Sequence, residues 1–257
     1  MSKKLITACL GVLALAAFAL PTAASASPVV THPTGTKLSL TGQTCTTASN
    51  AICITGTNVG EATLYAADGT TVLLHCSKVV FTGALTANTG THIEGDIHTA
   101  TFSGTGAQDP KMVKNMPECT GTNGLPNTTV TSNGTDPVNV TKIDEEDVTN
   151  GTPWCITSNN DTFSLRGGTC TDPARAIEFV LHPTELSSCV YSREKAVTGT
   201  IQTDTEAGKD ATASVTPGEG SEFKKVSGGI LCPTVGKLGM TITLETDKTT
   251  AEPLYIS

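Results

Sequence analysis

The interval from Cys189 to Cys232 repeats, residue for residue, the spacing from Cys76 to Cys119. Each interval opens on a similar run, Thr82-Gly83-Ala84-Leu85-Thr86 after Cys76 and Thr198-Gly199-Thr200-Ile201-Gln202-Thr203 after Cys189. Each then passes a Phe and a Ser-Gly before its second cysteine: Phe102-Ser103-Gly104 in the first, Phe223 and Ser227-Gly228 in the second. The other cysteines fall in line, as Cys45, Cys53, Cys76, Cys119 and then Cys155, Cys170, Cys189, Cys232. This pattern predicts a tandem duplication whose halves match strand for strand from Cys53 to Thr131 and from Cys170 to Thr246. Two copies make a pair of similar halves and not a repeat array.

Lys3 and Lys4 precede an apolar run over 5–20, Pro21 breaks it, and Ala24-Ser25-Ala26 supplies small residues at a cleavage site. This reads as a signal peptide cut after about Ala26, the run being short for a membrane span of about 20 residues. Cys9 sits too early in the run for a lipidation site. Cleavage removes Cys9 and leaves an even number of cysteines in an exported chain, which points to disulfides and no free thiol. The duplication favours bonds inside each set: Cys45–Cys53, Cys76–Cys119, Cys155–Cys170 and Cys189–Cys232. A structural zinc site would want Cys-x-x-Cys pairs, and there are none.

The formal net charge is −8, and losing Lys3 and Lys4 makes the mature chain more acidic still. That balance makes the exported chain a poor candidate for binding nucleic acid or anionic lipid. Aromatic residues are only 4 % of the chain, so a core must be built from Val, Ile, Leu and Ala with help from disulfides.

The expected fold is all-β: two similar disulfide-stabilised antiparallel β halves, forming a sandwich or partly open barrel. Asp68-Gly69 between Thr63-Leu64-Tyr65 and Thr71-Val72-Leu73-Leu74 marks a hairpin. Met240, Ile242 and Leu244 alternate with Thr241, Thr243 and Glu245, which describes a strand with one dry face; Ile177, Phe179 and Leu181 suggest another. The expected organisation is signal peptide 1–26, first half 27–122, linker or long loop 123–152, second half 153–257. The linker carries the acidic run Asp144-Glu145-Glu146-Asp147, which lacks the spacing and Gly of a calcium loop. Asn127, Asn133, Asn139, Asn150 and Asn160 each open an Asn-x-Thr sequon, which is uninformative in a bacterium.

Three constellations invite chemistry. His92, Glu94, Asp96 and His98 fall on alternate positions and share one face of a strand. The outer pair lies ~20 Å apart, so at most two neighbours could serve one metal ion; the plainer expectation is a solvated strand face. Leu74-His75-Cys76 and Ser227-Gly228-Gly229-Ile230-Leu231-Cys232 are similar to the histidine and serine segments of chymotrypsin-like proteases. Asp96, Asp109 or Asp136 could be the acid between them. Yet Lys225-Val226 stand where that family has Gly-Asp, and His75 and Ser227 belong to different halves, so we expect no catalytic pair. A glycosidase would pair carboxylates with aromatic platforms, but the single Trp, Trp154, adjoins Cys155 and is expected to pack on a disulfide. Arg166-Gly167-Gly168 should make a turn before Cys170. Neither Gly-x-Ser-x-Gly nor His-Glu-x-x-His occurs, and no cofactor is expected.

The carboxyl-terminal half resembles a group of uncharacterised secreted actinobacterial proteins. The similarity lies in Arg166-Gly167-Gly168-Thr169-Cys170, Val226-Ser227-Gly228-Gly229-Ile230-Leu231-Cys232-Pro233, Leu244-Glu245-Thr246-Asp247 and the ending Ala251-Glu252-Pro253-Leu254-Tyr255-Ile256-Ser257. The first half is matched through Thr57-Asn58-Val59-Gly60-Glu61 and Phe102-Ser103-Gly104-Thr105-Gly106. The resemblance implies export from a bacterium and no particular activity. The functional expectation is therefore an exported non-catalytic binding or envelope-associated module, its partner a cell-envelope or extracellular ligand and its mature chain without a transmembrane segment. A secreted hydrolase and a metal-binding module on the His92–His98 face are the alternatives.

Overall fold

Outward Thr and Ser alternate with inward Ile, Leu and Val along most strands, a pattern that needs a sheet with one dry face. The computed structural model describes residues 30–31, 37–45, 48–89, 92–104, 118–133, 153–159, 161–184, 187–202, 211–246, 252–253 and 255–256. The segment 1–26 expected as a signal peptide, the acidic run 144–147, Asp109, Asp136 and the sequon residues Asn139, Asn150 and Asn160 lie outside the described residues.

The strands are β1 (Val30–Thr31), β2 (Thr44–Cys45), β3 (Ala48–Ser49), β4 (Ile52–Asn58), β5 (Ala62–Tyr65), β6 (Val72–Cys76), β7 (Lys78–Asn88), β8 (Ile93–Ser103), β9 (Thr120–Gly121) and β10 (Thr129–Asn133). They continue as β11 (Trp154–Asn159), β12 (Thr162–Gly167), β13 (Ile177–Thr184), β14 (Ser187–Arg193), β15 (Val197–Gln202), β16 (Thr212–Val215), β17 (Glu222–Ser227), β18 (Val235–Thr246), β19 (Glu252–Pro253) and β20 (Tyr255–Ile256). Eight of them close a ring of antiparallel pairs, β4-β7-β8-β11-β12-β15-β16-β18 and back to β4. The expected partly open barrel is thus a closed one, which removes the edges a short sandwich would expose.

The ring does not contain the whole sheet. β8 and β18 are long enough to pair with ring neighbours at one end and with a second group of strands at the other. Along β18, Thr212–Val215 of β16 gives way to β17, and β4 gives way to β5. Along β8, on the side opposite β7, β11 gives way to β10. The two lie end to end along β8: Thr131 faces Thr101, and Trp154 faces Ile97. The stretch 123–152, expected as a linker, thus contributes strand β10 to the sheet; its residues 134–152 lie outside the described ones.

The two halves share one pairing scheme. β4·β7, β7·β8, β5·β6, β6·β9 and β8·β10 in the first correspond to β12·β15, β15·β16, β13·β14, β14·β17 and β16·β18 in the second. Strands also cross between the halves: β18 pairs with β4 and β5, while β10 pairs with β13 and β8 with β11. Cys76 and Cys189 each lie on the second strand of a hairpin, β5–β6 or β13–β14. Gly83 and Gly199 sit on the corresponding strands β7 and β15. A Cβ at either would come within 2.3 Å of Asp96 O or 2.2 Å of Ser214 O, so the neighbouring backbone occupies the space a side chain would need.

All four expected disulfides are present: Cys45–Cys53, Cys76–Cys119, Cys155–Cys170 and Cys189–Cys232. The shorter two do not correspond. Cys53 lies at the start of β4, whereas Cys170 lies past the end of β12, so the match between halves begins at β4 and β12 and not at Cys53 and Cys170. Inside the ring the lining is aliphatic, with Ile54, Leu85, Ile93, Ile97, Ile201 and Ile242 around a void of about 50 Å³. Under the second group of strands lie two aromatic sets, Phe81 with Phe102 and Trp154, and Phe179 with Tyr191 and Phe223. Few rings thus suffice because they are gathered at one end of the molecule.

Candidate functional site

The dry interior of the barrel leaves its outer face to the polar half of each alternation, and the register brings those residues into rows. Thr241, Ser214, Thr200, Thr162 and Asn159 face one another in turn across β18, β16, β15, β12 and β11. Beside this row runs a second, Thr198, Ser164, Thr157 and Glu94 across β15, β12, β11 and β8. Neighbouring hydroxyls are therefore about 4.8 Å apart across strands. Ser214 Oγ and Thr241 Oγ1 bond directly at 2.9 Å; Thr198, Thr200 and Thr162 are exposed.

Between the two rows lies an open groove of about 680 Å³, lined by His92, Thr157, Ser158, Asn159, Thr162, Phe163, Ser164, Thr198, Gly199 and Thr200. Its lining holds no carboxylate, lysine or arginine. Phe163 is buried beneath Gly199, whose missing Cβ leaves room for the ring edge. Ser158 is buried, and its Oγ has no hydrogen-bond partner. The arrangement offers neutral donors and acceptors at regular spacing.

Of the expected metal face, Glu94 and Asp96 alternate with buried Ile93, Gly95 and Ile97, but His92 precedes β8, the register slips at His98, and the members have separate engagements. His92 stands at the groove rim, its Nδ1 3.3 Å from Thr89 Oγ1 and its Nε2 4.0 Å from Glu94 Oε2. Asp96 Oδ1 accepts a hydrogen bond from Cys170 N at 2.7 Å and so anchors the segment that follows β12. His98 is half-buried on the same strand. Among the described residues, the one group of three metal-ligating types within 4.8 Å is Asp96 with Cys155 and Cys170, and those two sulfurs are bonded to each other.

His75 Nδ1 lies 2.9 Å from Glu61 Oε1. Ser227 ends β17, facing Val190. β5 and β18 stand between β6 and β17, so His75 and Ser227 are not in hydrogen-bond reach. Ser-Gly has a structural use instead. A Cβ on Gly228 would lie 2.5 Å from Cys232 Sγ, and one on Gly104 would lie 2.7 Å from Cys119 Cα, so each glycine lets the chain pass against its disulfide.

Trp154 is buried against Phe81, with ring centroids 6.3 Å apart. Strand alternation points it inward, away from the face of Cys155, which corrects the expectation that it packs on that disulfide. Arg166 does close a turn before Cys170, with Nη2 donating to Cys170 O at 3.0 Å and Gly168 at φ +85°. The groove was missed as a site, although Thr198-Gly-Thr200, Thr212-Ala-Ser214 and Thr241-Ile-Thr243 carry its signal. Comparison with protein-family models, curated proteins and solved structures gives no match.

Proposed function

We propose that the protein is an exported, non-catalytic binding module of the cell envelope or extracellular space, and that the groove over β11, β12 and β15 takes a neutral polyhydroxylated ligand such as a glycan chain. The neutral hydroxyl lining of that groove carries the reading: paired donor-acceptor groups suit a ligand of the same chemistry. Four disulfides suit an oxidising destination, as does the resemblance to secreted actinobacterial proteins. No helix among the described residues is long and apolar enough to cross a membrane. The common pairing scheme of the halves supports a tandem duplication as the origin of the chain.

The test is calorimetric titration of the mature protein with a panel of neutral cell-wall and plant oligosaccharides. Binding by at least one is expected, and Thr198→Val with Thr200→Val, which keep shape and strand propensity, should weaken it roughly tenfold or more. Absence of binding across the panel, or binding indifferent to both changes, would remove the groove from consideration. Stoichiometric labelling of Ser227 by a fluorophosphonate, lost in His75→Ala, would instead make the protein a hydrolase.

A further inference from the structure

The loop joining β17 to β18 is apolar in the wrong place for a core. Four large apolar side chains are exposed among the described residues, and three of them, Val226, Ile230 and Leu231, fall within six residues of this loop. Ile230 is 96 % exposed, Val226 52 % and Leu231 51 %. From Val226 to Gly236 there is no charged residue, while Lys224 and Lys225 stand at the base.

The loop is also held in shape. Cys232 is buried and bonded to buried Cys189, and Cys232 N donates to Gly229 O at 3.1 Å. Lys225 Nζ donates to Gly229 O at 3.4 Å and to Cys232 O at 3.1 Å, Tyr191 Oη donates to Pro233 O at 2.7 Å, and Lys225 N donates to Thr234 O at 3.0 Å. Carbonyls that would otherwise resist leaving water are thus satisfied from within. That requirement governs entry into a lipid phase, where no water replaces a lost partner. Exposed apolar groups on such a frame mark an interaction surface.

We propose that this loop docks the protein on an anionic lipid surface, with Ile230 and Leu231 entering the acyl boundary and the exposed Lys224 at the level of the headgroup phosphates. A protein partner fits less well, because a stable interface takes about 800 Å² from each side and this patch is a single short loop. Lipid asks only for a few apolar tips below a cationic collar. The acidic charge of the whole chain does not forbid it, since at physiological salt charges beyond roughly 8 Å are largely screened. The nearest acid along the strand, Glu222, lies opposite Lys237. One small anchor gives weak, reversible binding. The inference uses residues outside the hydroxyl groove and stands or falls apart from it.

The experiment is co-sedimentation of the mature full chain with vesicles of phosphatidylcholine alone and with phosphatidylglycerol added. Binding to the anionic vesicles is expected, reduced about tenfold or more by the double change Ile230→Ser and Leu231→Ser. Because both side chains are exposed, the double variant should keep its four disulfides and its unfolding midpoint. Lys224→Gln should weaken binding severalfold and flatten its salt dependence. An Ile230→Trp variant adds a direct readout: the emission it gains over the parent should shift to the blue on anionic vesicles and be quenched by brominated acyl chains. Lack of binding to anionic vesicles, binding unchanged in the double variant, or emission of the Ile230→Trp variant that does not shift overturns the proposal. Self-association, or tight capture of a protein through the same residues with no vesicle binding, does so too.

Discussion

The two long disulfides close loops of the same size on corresponding hairpins, Cys76 at the end of β6 away from the turn and Cys189 at the turn end of β14, and the chain beside them is used in opposite ways. At Cys76–Cys119 the following turn buries its large apolar residue, Leu125, and ties itself to the sheet through Thr122 Oγ1 and Asn123 Nδ2, each donating to Val72 O at 2.7 Å. At Cys189–Cys232 the adjacent loop directs polar groups inward, toward Lys225 and Tyr191, and leaves Ile230 and Leu231 in water. A pairing scheme decides where a loop emerges; it does not decide what the loop presents. Scaffolds with one pairing scheme can therefore carry unlike surfaces.

The largest effect that tests this comparison is loss of a disulfide. Each long bond closes a separation of 43 residues and Cys45–Cys53 one of 8, so the chain-entropy model assigns ~4 kcal/mol to either long bond and ~2.5 kcal/mol to the short one. Cys76→Ser with Cys119→Ser and Cys189→Ser with Cys232→Ser should shift urea unfolding by similar amounts. A gap of several kcal/mol between the two double variants would mean that the halves are not energetic equals.

A smaller difference comes from His182 on β13, where burial pushes the imidazole down to about 4 from 6.5. The unfolded chain takes up its proton near 6.5, and the folded chain resists until about 4. The stability present above pH 6.5 therefore falls by ~3 kcal/mol as pH drops through that window. β5, the counterpart strand, has no histidine. Unfolding midpoints at pH 7 and pH 4.5 should differ less in His182→Leu than in the parent; equal differences would show that His182 is not the acid-sensitive group.

The smallest effect concerns the tether from Tyr191 to Pro233 O, whose burial also raises the phenol pKa. Tyr191→Phe keeps the ring stacked on Phe179 at 5.2 Å and removes only the hydrogen bond, for about 1 kcal/mol. β6, the counterpart of β14, carries no tyrosine. Should the double change Ile230→Ser and Leu231→Ser abolish lipid binding while Tyr191→Phe merely weakens it, apolar content and loop rigidity would be separated as causes.

Much of this was legible beforehand. The Asp68-Gly69 hairpin follows from turn chemistry: Gly69 has φ +72°, and the Asp68 carboxylate accepts from Thr71 Oγ1 and from the amides of Thr71 and Thr70, bonds that hold it down at about 2. The alternation expected of His92, Glu94, Asp96 and His98 holds for Glu94 and Asp96, while His92 precedes β8 and the register slips at His98. Which of them would be occupied was not legible, because Asp96 meets a backbone amide 74 residues away. The Ser-Gly echo was also only half informative: Ser103 ends β8 and Ser227 ends β17, strands that do not correspond, although each following glycine lies against a long disulfide.

The sequence by itself determined strand period, turn positions and the four disulfides, since these depend on alternation, on residues that tolerate particular backbone angles, and on which cysteines lie within one set. Tertiary structure alone decided that the sheet closes, that strands cross between the halves, and that hydroxyls from separate strands line up into a groove. The physical reason is that a backbone edge offers the same hydrogen bonds to any partner. Strands that look alike in sequence are told apart only by the three-dimensional arrangement that buries their apolar faces together.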